Sequence, residues 1–120
     1  MKGYLLKKIM KEADNLSSCL SLDEISLPVV GDEEILIKVE ACGLCHTDLD
    51  EIEGRLMPPR LPIVLGHQIV GIVEEKGKCV KSFEIGDRIG IGWINKACGI
   101  CVFCKTGYEN LCYNFVATKL

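Results

Sequence analysis

Four cysteines, Cys98, Cys101, Cys104 and Cys112, stand in a C-x2-C-x2-C-x7-C spacing within fifteen residues. Gly99 and Gly107 lie among them and let the backbone turn tightly. Four thiolates about 2.3 Å from one ion make the closed tetrahedral shell of a structural zinc, with no position left for a substrate. Two disulfides or an iron–sulfur cluster are the other uses of four such thiols. Disulfides belong to oxidising compartments, and nothing in the sequence marks secretion. The bacterial ferredoxin run places its fourth cysteine after three residues and before a proline. Here seven residues intervene and Tyr113 follows. Structural zinc is the reading that this spacing favours. A second group of metal-capable residues is Cys45-His46-Thr47-Asp48 with Gly66-His67-Gln68 further on. Taken alone, a Cys and a distant His fit a core thiol and a surface imidazole better than a metal site.

The elements that must position these residues are mostly strands. Glu34–Ala41 reads as a β-branched strand entered through the turn-forming Gly31-Asp32. Ile69–Glu75 is a second, closed by Gly77, and Arg88–Trp93 a third, entered through Gly86-Asp87. Residues 80–85 link the last two. Tyr4–Leu6 and Cys19–Leu22 are weaker strands near the start. One short helix is expected over Thr47–Glu53, with Thr47 as N-cap and Gly54 at its end. Met57-Pro-Pro-Arg-Leu-Pro62 must be an extended loop. Short strands joined by glycine turns predict a small barrel. There is no βαβ alternation and no G-x-G-x-x-G, so no dinucleotide-binding unit is expected within these residues.

At 120 residues the chain suits one domain. With 48% hydrophobic and 26% charged residues it has globular rather than disordered composition. A net charge of −3 is too small to select nucleic acid or an anionic membrane surface as partner. Lys7, Lys8 and Lys11 form the one basic cluster, read as a solvated face. No apolar run reaches transmembrane length, and the first residues break theirs too early for a signal peptide. Eight cysteines without a secretion signal point to a reducing interior, hence a cytoplasmic protein. Cys42 precedes Cys45 in a C-x-x-C, but dithiol redox motifs need a βαβ setting that is missing here. Cys19 and Cys79 match no ligand spacing and are expected as small buried hydrophobes.

The order of these motifs carries a family resemblance. A strand, C-H-T-D, a proline-rich loop, G-H-Q, a glycine-rich strand, G-D-R and then W-x4-C-G-x-C-x2-C-x7-C resembles the N-terminal catalytic domain of zinc-dependent medium-chain alcohol dehydrogenases. The likeness runs from about Met1 to Phe115 and implies a mainly β, GroES-like, partly open barrel. Residues 1–120 would form that domain, with one or two short helices and a structural-zinc lobe over about residues 95–113. It implies Cys45 and His67 as two protein ligands of a catalytic zinc, a thiolate and a neutral imidazole that suit this ion. Such a zinc lowers the pKa of the alcohol before hydride passes to a nicotinamide. By the same resemblance Asp48 bonds the far ring nitrogen of the ligand His, and the Thr47 hydroxyl takes the substrate proton. His46 would meet the coenzyme pyrophosphate, and Trp93 would form an aromatic wall of the substrate pocket.

Three departures qualify what the resemblance implies. The family supplies Glu where Gln68 stands, and an amide oxygen is a poorer temporary ligand for a dication. Its proton relay often continues to a His at the position of Asp50, whose ordinary pKa near 3.9 is badly matched to neutral pH. The third ligand of the catalytic zinc and the coenzyme domain lie beyond Leu120 in the family's order. The expectation is therefore a truncated alcohol dehydrogenase, turning alcohol to aldehyde or ketone with NAD or NADP only when a coenzyme domain is supplied. The alternative is a stand-alone zinc-stabilised barrel that self-assembles without redox chemistry. In either case a homo-oligomer is expected, formed through the face the coenzyme domain would otherwise cover.

Overall fold

The computed structural model describes residues 1–118. Eight strands form two three-stranded sheets and a ribbon, and every pairing among the described residues is antiparallel. In the first sheet β1 (Lys2–Leu6) lies between β2 (Leu20–Glu24) and β4 (Ile63–Val64). Burial alternates along β1, as a strand with one covered face requires, and ends on the fully buried Leu6. The second sheet orders β3 (Ile35–Gly43), β5 (Gln68–Lys76) and β6 (Arg88–Ile91). The ribbon pairs β7 (Ile94–Lys96) with β8 (Val116–Ala117), and the four-cysteine lobe is the excursion between them. The architecture is mainly β, as expected, and among the described residues no ladder joins the two larger sheets.

Between β3 and β4 in the chain comes α2 (His46–Ile52), which with α1 (Leu16–Cys19) and α3 (Val102–Lys105) makes three short α-helices among the described residues. Ile52 packs with Leu6, Cys19 and Ile63 in the core, flanked by Ile9, Met10, Leu20 and Leu65. Burying each large aliphatic of that cluster contributes about 1.5–3 kcal/mol. The backbone adds a tie where Met10 N donates to Ile52 O at 2.7 Å. These contacts clamp α2 by its last turn and leave its first turn free to serve a site.

Several expectations are corrected. The helix begins at His46 with Cys45, not Thr47, as N-cap. Asp48 is then the third helical residue, and its Oδ2 accepts from Cys45 N at 2.8 Å, whereas Asp50, the matching residue for Thr47 as cap, accepts from Arg55. Cys19 closes α1, so the following strand starts one residue later, at Leu20. The strand expected over Arg88–Trp93 stops at Ile91, and Trp93 leaves the ladder before β7. Cys19 is buried as expected, but Cys79 is exposed, because its N–H bonds Asp32 O at the surface turn near residue 77. α1, α3, β4, β7 and β8 are too short to leave a periodic signal. No helix is long and apolar enough to cross a membrane.

Candidate metal centres

The β3–β5 ladder decides where the second group of residues meets. Its last pair is Gly43 opposite Gln68, so Cys45 lies two residues past one strand and His67 one residue before the other. Ile91 of β6 pairs with Ile69 at the same end of the sheet, which brings Trp93 there too. Gly66 makes the turn into β5 with φ of 113°, and a Cβ at that position would come within 2.7 Å of Cys42 Sγ. Both the dihedral and the space demand glycine.

In the resulting cluster Cys45 Sγ lies 3.3 Å from His67 Nε2. Zinc bonds of about 2.3 Å to sulfur and 2.0–2.1 Å to nitrogen, at tetrahedral angles, put those atoms about 3.6 Å apart. The pair therefore fits one ion with little adjustment. His67 Nδ1 points to Asp48 Oδ1 at 3.7 Å, and both side chains are buried. That oxygen has no hydrogen-bond partner, an orphaned acceptor facing a ring whose other nitrogen is free for a metal. Cys45, Asp48 and His67 offer donor atoms all within 4.8 Å of one another. Trp93 meets the His67 ring edge to face, with centroids 5.0 Å apart and planes at 88°.

The remaining expected residues sit around this cluster with differing engagement. Thr47 is half-buried on the first turn of α2. His46 is exposed, and its Nε2 lies 3.6 Å from Asp50 Oδ1, one helical turn on. That same oxygen accepts from Arg55 Nε at 2.6 Å, and Arg55 also pairs with Glu53. The Arg55 contact was not foreseen, since an Asp and an Arg five residues apart across a helix end have no periodic signature. Gln68 is exposed and lays its amide against Gly43, where an added Cβ would sit 2.8 Å from Oε1.

The lobe brings all four expected cysteines together. Their sulfurs lie within 4.8 Å of one another, and all eight cysteines of the chain are free thiols. Cys101 and Cys104 sulfurs are 3.5 Å apart and those of Cys98 and Cys104 3.9 Å. Four ligands at about 2.3 Å make a tetrahedron with edges of about 3.8 Å, whereas a disulfide would need about 2.05 Å. The lobe is shaped for a metal, not for cross-links. Gly99 and Gly107 turn it with φ of 72° and 81°. Backbone N–H groups support the sulfurs: Cys98 N donates to Cys112 Sγ at 3.3 Å and Cys101 N to Cys98 Sγ at 3.4 Å. The N–H groups of Ile100 and Cys101 pull the Cys98 thiol down to about 6, while burial pushes Cys104 up to about 12. Phe103 and Tyr113, which the sequence did not single out, brace the lobe with centroids 5.1 Å apart.

The alcohol dehydrogenase GroES-like domain family matches residues 31–118. An alcohol dehydrogenase of Geobacillus stearothermophilus is 46% identical over 100 residues, covering 82% of this chain and 30% of the relative. The structure of a cinnamyl alcohol dehydrogenase from Sorghum bicolor superposes with a TM-score of 0.80 at 36% identity, covering 98% of this chain and 31% of that one. One from Helicobacter pylori, complexed with NADP(H), gives 0.79 at 32% identity, covering 98% and 32%. The chain thus spans about three-tenths of the length of the relatives it matches. The family match spans residues 31–118 and the superposition 98% of the chain, and the chain belongs to the GroES-like domain family of zinc-dependent alcohol dehydrogenases.

Proposed function

We propose that this chain is the catalytic domain of an oxidoreductase that interconverts alcohols and carbonyl compounds with a nicotinamide coenzyme held by a further domain. The observation that carries this reading is the convergence of Cys45 Sγ and His67 Nε2 at 3.3 Å, backed by the orphaned Asp48 Oδ1. Cys45 and His67 would hold a catalytic zinc, and Cys98, Cys101, Cys104 and Cys112 a structural one. Bound at the first site, zinc supplies Lewis-acid polarisation of the substrate oxygen.

The chain's own residues supply the rest. Asp48, buried behind His67, favours the tautomer with its proton on Nδ1 and leaves Nε2 free to bind metal. Thr47, beside Cys45 at the start of α2, takes the substrate proton through its hydroxyl. Asp50, one turn further along α2, accepts from Arg55 through Oδ1, and this ion pair favours its charged form over one that would carry a proton onward. His46 is exposed on the same turn, where a ring N–H can donate to a pyrophosphate oxygen. Trp93 walls the pocket with a flat apolar surface.

The test is a chimera in which this chain replaces the corresponding segment of the Geobacillus relative. Turnover of primary alcohols on the order of 1 per second is expected with NAD or NADP. Cys45→Ser or His67→Ala should remove it without releasing the lobe metal. A folded, metal-loaded chimera without turnover would overturn the proposal. So would comparable turnover by this chain alone, since the proposal has the coenzyme held by a further domain.

A further inference from the structure

We infer that Trp93 is a positioning residue that sets metal affinity at Cys45 and His67, in addition to walling the pocket. The inference rests on reading that pair as a metal site. Ligand imidazoles are usually oriented by a hydrogen bond from the second ring nitrogen, and loss of that bond weakens metal binding about 10- to 100-fold. Here the corresponding distance, His67 Nδ1 to Asp48 Oδ1, is 3.7 Å, beyond hydrogen-bond range. The carboxylate biases the tautomer by charge, but at that separation it does not fix the plane of the ring.

The close geometric constraint comes from packing. Trp93 stands perpendicular to the imidazole, at 88° and 5.0 Å, the arrangement aromatic quadrupoles favour. His67 is buried, so a ring rotation would have to push against that indole. Gly66 holds the backbone on the other side and allows no Cβ against Cys42. Rotation about the His67 side chain would swing Nε2 away from Cys45 Sγ. The indole therefore keeps the two donor atoms convergent before metal arrives, and preorganised donors bind more tightly than donors that must be ordered on binding.

The probe is cobalt(II) titrated into the full chain after one equivalent of zinc has filled the four-thiolate lobe. Trp93 is the sole tryptophan, so its fluorescence should fall on the cobalt addition, assigning that metal to Cys45 and His67. Thiolate-to-cobalt absorbance then reports affinity in the variants. Trp93→Leu keeps an apolar side chain without the ring and should bind cobalt about 10-fold more weakly, with a broadened spectrum. Trp93→Phe restores an aromatic ring and should recover affinity to within about 3-fold of wild type. Retention of the lobe zinc shows in each case that the variant has folded. Equal cobalt affinity in wild type, Trp93→Leu and Trp93→Phe overturns the positioning role while leaving the metal site in place. A wild-type chain that takes up no cobalt beyond the lobe zinc overturns the metal-site reading itself, and this inference with it.

Discussion

The surroundings of Cys98 and Cys104 push their thiols in opposite directions. Backbone N–H groups hold Cys98 near 6, below the ordinary 9.0, and burial holds Cys104 near 12. Without metal, the Cys98 contribution to stability is complete above pH 9 and disappears as pH falls through about 6. Cys104 runs the other way, complete below pH 9 and lost as pH rises towards 12. Zinc takes all four as thiolates, so its binding must expel whatever protons remain. At pH 7.5 Cys98 should release almost none and Cys104 a full proton. Calorimetry in buffers of differing ionisation enthalpy should therefore count fewer than four protons per zinc. Cys104→Ser should lower the count by about one, and Cys98→Ser should barely change it. Equal losses in the two variants would show that the N–H groups of Ile100 and Cys101 do not discriminate between the sulfurs.

At the scale of elements, the site depends on where strands end. Gly43 opposite Gln68 fixes the register that brings Cys45 to His67, and Gly66 makes the turn between ladder and ligand. Gly66→Ala would force a Cβ both into a left-handed dihedral and against Cys42 Sγ at 2.7 Å. The dihedral strain alone costs about 1–3 kcal/mol. Denaturant unfolding should show that loss, and cobalt uptake at His67 should weaken with it. Adding Cys42→Ala should recover the steric part and not the dihedral part. A neutral Gly66→Ala would mean that the turn adjusts without disturbing β5.

The sequence made some of this plain and hid the rest for physical reasons. The long strands β3 and β5 were readable because β-branched runs between glycine turns are a strong local signal. The sulfurs of the lobe were readable because one ion fixes their spacing. The N-cap was misplaced because Thr47 is the better capping residue by type, while Asp48 reaching back to Cys45 N decides the actual start. Cys79 was misjudged because burial is a tertiary property that a lone cysteine does not announce. The Trp93–His67 contact joins two strands' ends and has no local signature at all.

At the scale of the molecule, surface and core are out of proportion. The chain exposes 8343 Å², against about 6,400 Å² for a compact monomer of its 13.2 kDa. Its radius of gyration is 16.0 Å, where about 13.6 Å is usual for 120 residues. The excess, roughly 1,900 Å², is more than twice the area that one side of a standard interface buries. Large apolar side chains lie on the surface: Leu44 beside the Cys45 site is 85% exposed, Val29 93%, and Ile100 in the lobe 75%. Against this, the large aliphatic side chains buried among the described residues are Leu6, Ile52, Ile63 and Val73. We propose that part of this surface is an interaction site, since large exposed apolar patches are uncommon on soluble monomers. In the proposed enzyme a coenzyme domain would cover the part around Leu44. Supplied as this chain alone, with zinc in the lobe, the same face should close on a second copy, and a closed dimer or ring is favoured over open polymer. Light scattering at micromolar concentration should give a native mass of at least two chains. Leu44→Glu, which places a charge on the exposed residue next to Cys45 and replaces no metal donor, should return the mass to one chain. A wild-type monomer at that concentration would mean that the exposed apolar groups are too dispersed to form one interface.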